Sequence, residues 1–283
     1  MVLYKYQQSN RGNREHMKQE KLDSSSKELH TKFTAESGHW YTKEGKPQYT
    51  IIGANGKERK TNLRDARQLN LVPSVTTVMN MIAKPSLENW KMNQVLNSAL
   101  TLERYEGESL QSFSYRCRQD SQKVGKEAAE RGTKIHAMIE KGFLGTSTNK
   151  PYKAIKNYLD EHYPDEEWIA EDSFCAEQGY GGMIDLYSKS GIFVDFKTKD
   201  NLEGKDPKRL VYDSHGMQLS AYAQGCGFYN PERVSIFVDR KYTDLVLCHI
   251  WDKYSHEKHL AMFNSILTYW KLEKNYDPSE ETL

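Results

Sequence analysis

Long apolar runs, paired cysteines and a nucleotide-binding glycine loop are all missing from this sequence. No apolar stretch approaches the roughly 20 residues that a helix needs to span a bilayer, and no signal peptide is evident at the start. The four cysteines, Cys117, Cys175, Cys226 and Cys248, are too scattered for the close ligand pairs of zinc or iron–sulfur sites. We therefore expect a cytoplasmic protein with reduced cysteines, no membrane partner and no iron–sulfur cluster. Without a Gly-x-x-x-x-Gly-Lys-Ser/Thr sequence, ATP is not expected as a cofactor.

Composition and charge describe a globular protein with a basic N-terminal part. The chain has 283 residues, 37% hydrophobic and 28% charged, enough for one large domain or two small ones. Residues 1–70 hold 14 Lys/Arg and 8 Asp/Glu, a net charge of +6, so the rest must carry −5 to reach the total of +1. This distribution suits an anionic polymer held beside an acidic site. For residues 1–35, a well-solvated flexible tail is the favoured interpretation.

Periodicity and turn signals separate the flexible segment over 1–35 from β-hairpins and helices that begin at about residue 36 and continue into a region rich in strands. The first hairpin is predicted over His39–Thr42 and Gln48–Ile52. Helices are predicted over 86–102, 108–143, 151–162, 216–227 and 256–274. Strands are predicted over 168–176, 182–187, 192–198, 233–239 and 244–251, with 199–213 as a linker. This order predicts an α/β or α+β architecture, a mixed β-sheet with helices on its faces.

A second predicted β-hairpin places two carboxylates and an ammonium group together. Its strands are joined by the turn signal Ser188–Gly191. Alternation along the second strand puts Asp195 and Lys197 on one face, and the first strand can bring Asp185 beside them. Such a group could hold a hard divalent metal and activate a water molecule. An Asp-x-Lys triplet alone is weak support, because such pairs arise by chance on solvated strands.

Two further pairs of polar residues are spaced four apart on predicted helices, which puts each pair on one helix face. His136 and Glu140 are competent ligands for Mn²⁺ or Mg²⁺. An ordinary surface pair is the alternative for these two. Gln218 and Tyr222 could position a lysine and contact a phosphate, although in isolation this pair is uninformative.

Taken in order, these pieces resemble the RecB-type branch of the PD-(D/E)XK nucleases. The motifs are Gly132-x-x-x-His136-x-x-x-Glu140, Gly182-x-x-Asp185, Asp195-x-Lys197 and Gln218-x-x-x-Tyr222. The branch includes nuclease domains of bacterial recombination helicases, CRISPR-associated exonucleases, the mitochondrial genome maintenance exonuclease and many phage enzymes. The resemblance covers residues 125–270, and Pro73–Val78 is similar to a segment of the phage and mitochondrial members. Ile184 stands where the family name has proline, which is common in this branch.

The resemblance implies a restriction-endonuclease-like core over 125–283, a central mixed β-sheet flanked by helices. It also implies an N-terminal β-hairpin and helical extension over 36–124 that contributes to DNA binding. It implies that Lys197 positions the water or neutralises the transition state, with Asp185 and Asp195 as its catalytic partners. It implies that Gln218 orients Lys197 and that Tyr222 touches the DNA backbone. The implied ligands of Mg²⁺ or Mn²⁺ are His136, Asp185, Asp195 and the backbone carbonyl of Phe196, with Glu140 supporting a second ion or orienting His136 and Glu171 as a further acidic candidate.

The implied function is a metal-dependent DNA exonuclease acting at DNA ends or on single strands, in recombination, repair or DNA degradation. Its partners would be DNA and a recombination or single-strand-binding protein, in the cytoplasm of the host if the chain is phage-encoded. Two alternatives stay open. The fold could serve as a catalytically weak DNA end-binding or partner-docking module. The same charged residues could also form surface ion pairs in an α/β protein that binds no metal.

Overall fold

The computed structural model describes residues 38–280, so the segment predicted to be flexible, 1–35, lies outside it. The helices are α1 Leu63–Leu69, α2 Val75–Met79, α3 Pro85–Thr101, α4 Leu110–Phe143, α5 Lys150–His162, α6 Asp213–Gly225 and α7 Ser255–Lys274. The strands are β1 Trp40–Tyr41, β2 Thr50–Ile52, β3 Glu58–Lys60, β4 Val72–Pro73, β5 Trp168–Ala176, β6 Tyr180–Ser188, β7 Ile192–Lys199, β8 Glu232–Asp239 and β9 Val246–Ile250. Among these helices none has the length and apolarity that a membrane crossing requires.

The centre of the fold is a five-stranded mixed sheet in the order β5-β6-β7-β8-β9. Strands β7 and β8 are parallel, because α6 forms the crossover between them, and the other neighbours are antiparallel. Helices α4 and α5 contribute Ile139 and Ile155 to one apolar cluster. Helices α6 and α7 contribute Met217 and Phe263 to another. The expected mixed sheet flanked by helices is confirmed.

Strand β7 separates these two clusters, and its residues alternate between them. Val194 and Phe196 belong to the cluster that includes α4 and α5. Phe193 belongs to the cluster that includes α6 and α7. By the same period of two, Asp195 and Lys197 face the α6 side. The alternation predicted for this strand is therefore observed, and it turns the two charged groups toward one helix.

The N-terminal part differs from the prediction in its pairing. Strand β1 pairs with β4, and the hairpin predicted after it is reduced to one bridge, Tyr41 to Pro47. The regular hairpin here is β2–β3. The physical reason lies in Trp40, which is 2% exposed and packs against Trp270 of α7 with ring centroids 6.2 Å apart. Burying so large an apolar side chain favours the β1–β4 pairing. The predicted turn is nevertheless kept, with Thr42 N donating to Lys46 O at 2.8 Å. The β1–β4 pair therefore braces the core.

A buried arginine ties α6, α7 and β8 together. Arg233 is fully buried; its Nη1 donates to Ser220 Oγ at 3.0 Å and to His259 Nδ1 at 3.0 Å. Its Nη2 donates to Asp252 O at 2.8 Å and to Ser255 Oγ at 2.9 Å. Burial lowers the pKa of Arg233 to about 10, so the group is still cationic at neutral pH. The network fixes α6 against the sheet.

Acid is expected to destabilise the protein through this network. His259 must be unprotonated at Nδ1 to accept from Arg233, and burial lowers the pKa of both His259 and His256 from the ordinary 6.5. Because the pKa of each histidine is lower in the folded protein than in the unfolded chain, the unfolded chain binds more protons in acid. The contribution of these histidines to the free energy of unfolding is therefore fully present above the unfolded pKa and decreases as the pH drops below it. The loss is at most about 1.4 kcal/mol per pH unit for each histidine.

Urea unfolding in the neutral to mildly acidic range measures this loss. The variant His259→Gln should flatten the pH dependence between neutrality and the histidine range. His162→Gln, at the exposed end of α5, is the matched control and should leave the slope unchanged. Equal slopes for wild type and His259→Gln would contradict the assignment.

Candidate active site

Three polar side chains form a closed triangle on the α6 face of the sheet. The Lys197 ammonium forms an ion pair with Asp195 Oδ2. Lys197 Nζ also donates to Gln218 Oε1 at 3.2 Å, and Gln218 Nε2 donates to Asp195 Oδ1 at 3.0 Å. Asp195 is only 2% exposed, whereas the Lys197 side chain is 26% exposed. The carboxylate is thus held at the floor of the triangle, and the lysine side chain is the more exposed partner of the ion pair.

Asp185 lies in a gap between β6 and β7. The ladder between these strands includes the pairs Leu186–Val194 and Tyr187–Phe193. At the next position Asp185 Oδ2 accepts the backbone N–H of Phe196 at 2.8 Å. Because the N–H and C=O of one residue point to the same edge of a strand, the Phe196 carbonyl faces this gap as well. The carboxylate and the carbonyl predicted as metal ligands therefore share one opening.

The Asp185 carboxylate lies close enough to Asp195 for the two negative charges to interact. Burial, and then the charge of Asp195, raise the pKa of Asp185 above its ordinary value. His136, Lys197 and the Phe196 N–H act in the opposite direction. These groups therefore compensate only part of the repulsion between the two carboxylates, and a bound cation would reduce that repulsion further.

Helix α4 brings His136 and Glu140 to the same opening. His136 Nδ1 lies 3.8 Å from Asp185 Oδ2, and its ring meets Phe196 edge-on at 6.2 Å between centroids. Glu171 of β5 lies level with Asp185, where its backbone has a φ of 51°. Burial, with Asp185 and Glu140, raises the pKa of Glu171 to about 7. The negative charges of Asp185 and Glu140 therefore act on Glu171.

Gln218 and Tyr222 share one face of α6, as their spacing predicts. Gln218 Nε2 donates to the Tyr222 hydroxyl at 2.8 Å as well as to Asp195. Tyr222 is 5% exposed, and burial raises its pKa well above its ordinary value. The phenol therefore stays protonated and helps to fix the amide of Gln218. Its contact with the DNA backbone stays a prediction.

The glycines of two motifs stand at points of close approach. A Cβ on Gly132 would lie 2.9 Å from Thr198 Oγ1, so this residue lets α4 approach β7 one turn before His136. A Cβ on Gly182 would lie 2.8 Å from Tyr222 Cε1. Such distances are shorter than ordinary packing contacts, so a larger residue must displace its neighbour. Both glycines thus set the position of side chains at the site.

The donor set can be compared with what a divalent cation requires. Within residues 38–280, no three His, Cys, Asp or Glu side chains already stand together in metal-binding geometry. Asp195 Oδ2 is buried and meets the Lys197 ammonium. Two carboxylates, a backbone carbonyl and one imidazole are nevertheless the oxygen-rich set that Mg²⁺ or Mn²⁺ prefers. By chemistry and by charge these residues fit such an ion.

Two residues near the site were not found from the sequence. His215 lies on the first turn of α6, three residues before Gln218, and burial followed by the charge of Lys197 lowers its pKa to about 4. Its buried Nδ1 has no hydrogen-bond partner among residues 38–280. Lys199 continues the alternation of Asp195 and Lys197. Helical spacing for the first and strand alternation for the second are the signals that could have indicated them.

Comparison with known proteins yields distant structural likenesses. No family model and no curated protein sequence matches the chain. An alkaline exonuclease, LHK-Exo, from Laribacter hongkongensis is similar with a TM-score of 0.38 and 12% identity, covering 72% of this chain and 89% of that one. LHK-Exo in complex with dAMP is similar with a TM-score of 0.32 and 13% identity, covering 71% of this chain and 90% of that one. The structure of SSO0001 is similar with a TM-score of 0.28 and 13% identity, covering 64% of this chain and 85% of that one. At these values the likeness carries no argument about activity.

Proposed function

We propose that this chain is a metal-dependent nuclease that hydrolyses phosphodiester bonds in DNA. The observation that carries the proposal is the convergence of Asp185, Asp195 and Lys197 at one opening, with Gln218 bonded to both members of the Asp195–Lys197 pair. An imidazole lies 3.8 Å from Asp185, and burial, with the charges of Asp185 and Glu140, raises the pKa of Glu171. A carboxylate pair, with Asp195 buried and Asp185 partly exposed, beside a partly exposed lysine suits the transfer of a phosphoryl group.

Each residue has a distinct role in this proposal. Bound Mg²⁺ or Mn²⁺ would supply a Lewis acid and lower the pKa of a water molecule. Asp185, Asp195, His136 and the Phe196 carbonyl would hold the ion. Lys197 places a compact positive charge where the phosphate gains negative charge, and Gln218 fixes its direction. Glu140 and Glu171 are within electrostatic reach to orient His136 or support a second ion.

The substrate and the mode of attack are the finer part of the proposal. We propose DNA ends or single strands as substrate and an exonuclease mode, in recombination, repair or DNA degradation, with a recombination or single-strand-binding protein as partner. Support for these points comes from the ordered motifs at His136, Asp185, Asp195–Lys197 and Gln218.

A second candidate function is a DNA end-binding module with weak hydrolysis. The ion pair between Lys197 and Asp195 favours it, because the ammonium occupies the carboxylate that a metal would need. This candidate predicts retained DNA binding with no cleavage products.

Linear DNA labelled at its 5′ or 3′ end distinguishes these functions. With Mg²⁺ or Mn²⁺ we expect products that shorten progressively from one end, and none with EDTA. The variant Asp195→Asn, purified in parallel, controls for contaminating nucleases. DNA that is bound but stays intact would favour the end-binding module over the nuclease. DNA that is neither bound nor cut would overturn both.

A further inference from the structure

The polar face of strand β7 continues beyond Lys197. Lys199 follows on the same face, about 6.6–6.8 Å further along the strand. That separation is comparable with the distance between neighbouring phosphates of one nucleic-acid strand. The backbone positions of Lys197 and Lys199 are therefore spaced like two neighbouring phosphates along the direction of β7.

The Lys199 ammonium has no counter-ion in the structure. No carboxylate in the described chain, residues 38–280, lies within 4.0 Å of it. It lies 5.2 Å from the centre of the Tyr212 ring, which holds it by a cation–π contact. Burial lowers its pKa, and the charges of Arg240, Lys205 and Lys197 lower it further. A half-buried ammonium among cations is the environment that an anionic ligand would stabilise.

Arg240 adds a fixed positive charge beside Lys199. Its Nη2 donates to Thr198 O at 2.9 Å, and its Nη1 pairs with Asp200 Oδ2 at 2.6 Å. The exposed Lys205 donates to Asp200 O at 3.2 Å. The Asp200 carboxylate therefore pairs with Arg240, while Lys205 meets the Asp200 backbone carbonyl. The three cations Lys199, Lys205 and Arg240 outnumber this carboxylate and that of Asp239, which stands opposite Lys199 in the β7–β8 register.

The segment that carries these cations is anchored, although it was predicted as a linker. Asp239 is 1% exposed and accepts N–H groups from Leu202 at 2.8 Å, Lys241 at 2.8 Å and Tyr242 at 2.9 Å. Leu202 also packs with Leu210 and Phe237 in a small buried cluster. The backbone on both sides of Lys199 is thus held before any ligand binds, which lowers the entropic cost of binding.

We propose that Lys199, supported by Arg240 and Lys205, forms a phosphate-binding subsite for the DNA phosphate next to the scissile one. The proposal rests on the proposed function of the neighbouring site. The subsite reads the backbone and no base, since an ammonium contacts phosphate oxygens without regard to sequence. It sets the register of the DNA strand, so that one phosphate lies at Lys197 while its neighbour lies at Lys199.

Binding measurements test the subsite whether or not the protein cleaves DNA. Fluorescence anisotropy with a single-stranded oligonucleotide in EDTA should show about tenfold weaker binding for Lys199→Met. The slope of log affinity against log salt should become shallower by about 0.7, the value for one lost phosphate contact on a single strand. Lys153→Met, an exposed lysine on α5 across the sheet, removes the same charge and should change neither quantity. Unchanged binding by Lys199→Met would overturn the subsite even if the wild type is an active nuclease.

A chemical cycle locates the contact when the protein cleaves DNA. Oligonucleotides with a single neutral methylphosphonate, moved stepwise from the labelled end, are compared by kcat/KM. At one position the neutral linkage should slow the wild type about tenfold but slow Lys199→Met no further. Additive losses at every position would overturn the proposed pairing. If the wild-type protein neither binds nor cuts DNA, both the proposed function and the subsite are wrong.

Discussion

Replacing Lys197 by alanine should lower the rate of DNA cleavage about 100- to 1000-fold, with DNA binding changed far less. The reason is that its side chain is partly exposed and, in the proposed function, lies where negative charge develops on the phosphate. Removing it also leaves the buried Asp195 without its cation, so the folded state is weakened. Cleavage of end-labelled DNA and anisotropy with the same DNA measure the two quantities separately.

Two companion variants make the Lys197 result interpretable. Lys197→Arg keeps the charge next to Asp195 and should fold normally, yet it should lose most activity because a planar guanidinium cannot replace a point charge. Lys189→Ala removes an exposed lysine from the turn of the same hairpin and should cleave at the wild-type rate. Wild-type cleavage by Lys197→Ala would mean that the site is wrongly assigned.

Replacing Asp185 by asparagine should have opposite effects on stability and activity. The amide oxygen can still accept the Phe196 N–H, while the repulsion with Asp195 disappears. We expect the free energy of unfolding in EDTA to rise by about 0.5–2 kcal/mol. Cleavage should fall at least 100-fold, since a ligand of the proposed ion is lost.

Unfolding with and without Mn²⁺ checks the Asp185 prediction without any enzymatic assay. The wild type should gain Tm when Mn²⁺ is added, because the ion binds the folded state, and Asp185→Asn should not. Asp172→Asn alters an exposed carboxylate on β5 and should behave like the wild type. An Asp185→Asn protein that is less stable than wild type in EDTA would contradict the role given to carboxylate repulsion.

Local patterns account for the parts of the fold that the sequence indicates well. The hairpin β6–β7 follows from alternation and a turn signal, so the sequence alone predicts that Asp195 and Lys197 share one face. Helical spacing likewise put His136 with Glu140 and Gln218 with Tyr222. These inferences depend on neighbours within about four residues, where backbone geometry fixes side-chain direction.

Relations between distant segments could not be obtained in this way. The pairing of β1 with β4 depends on the packing of Trp40 against Trp270, and 230 residues separate these two in the chain. The left-handed backbone at Glu171 and the buried bonds of Arg233 likewise arise only when separate elements meet. Propensity says little about such features, because tertiary packing overrides it.

Phe196 joins two regions of the protein that are usually considered apart. Its ring stacks with Phe143 at 6.5 Å in the apolar layer beside α4, while its backbone N–H donates to Asp185 Oδ2. A change of shape in that layer that moves Phe196 is therefore expected to move the Asp185 carboxylate as well. Substitutions in the hydrophobic interior here and changes in the chemistry of the site are thus coupled through one residue.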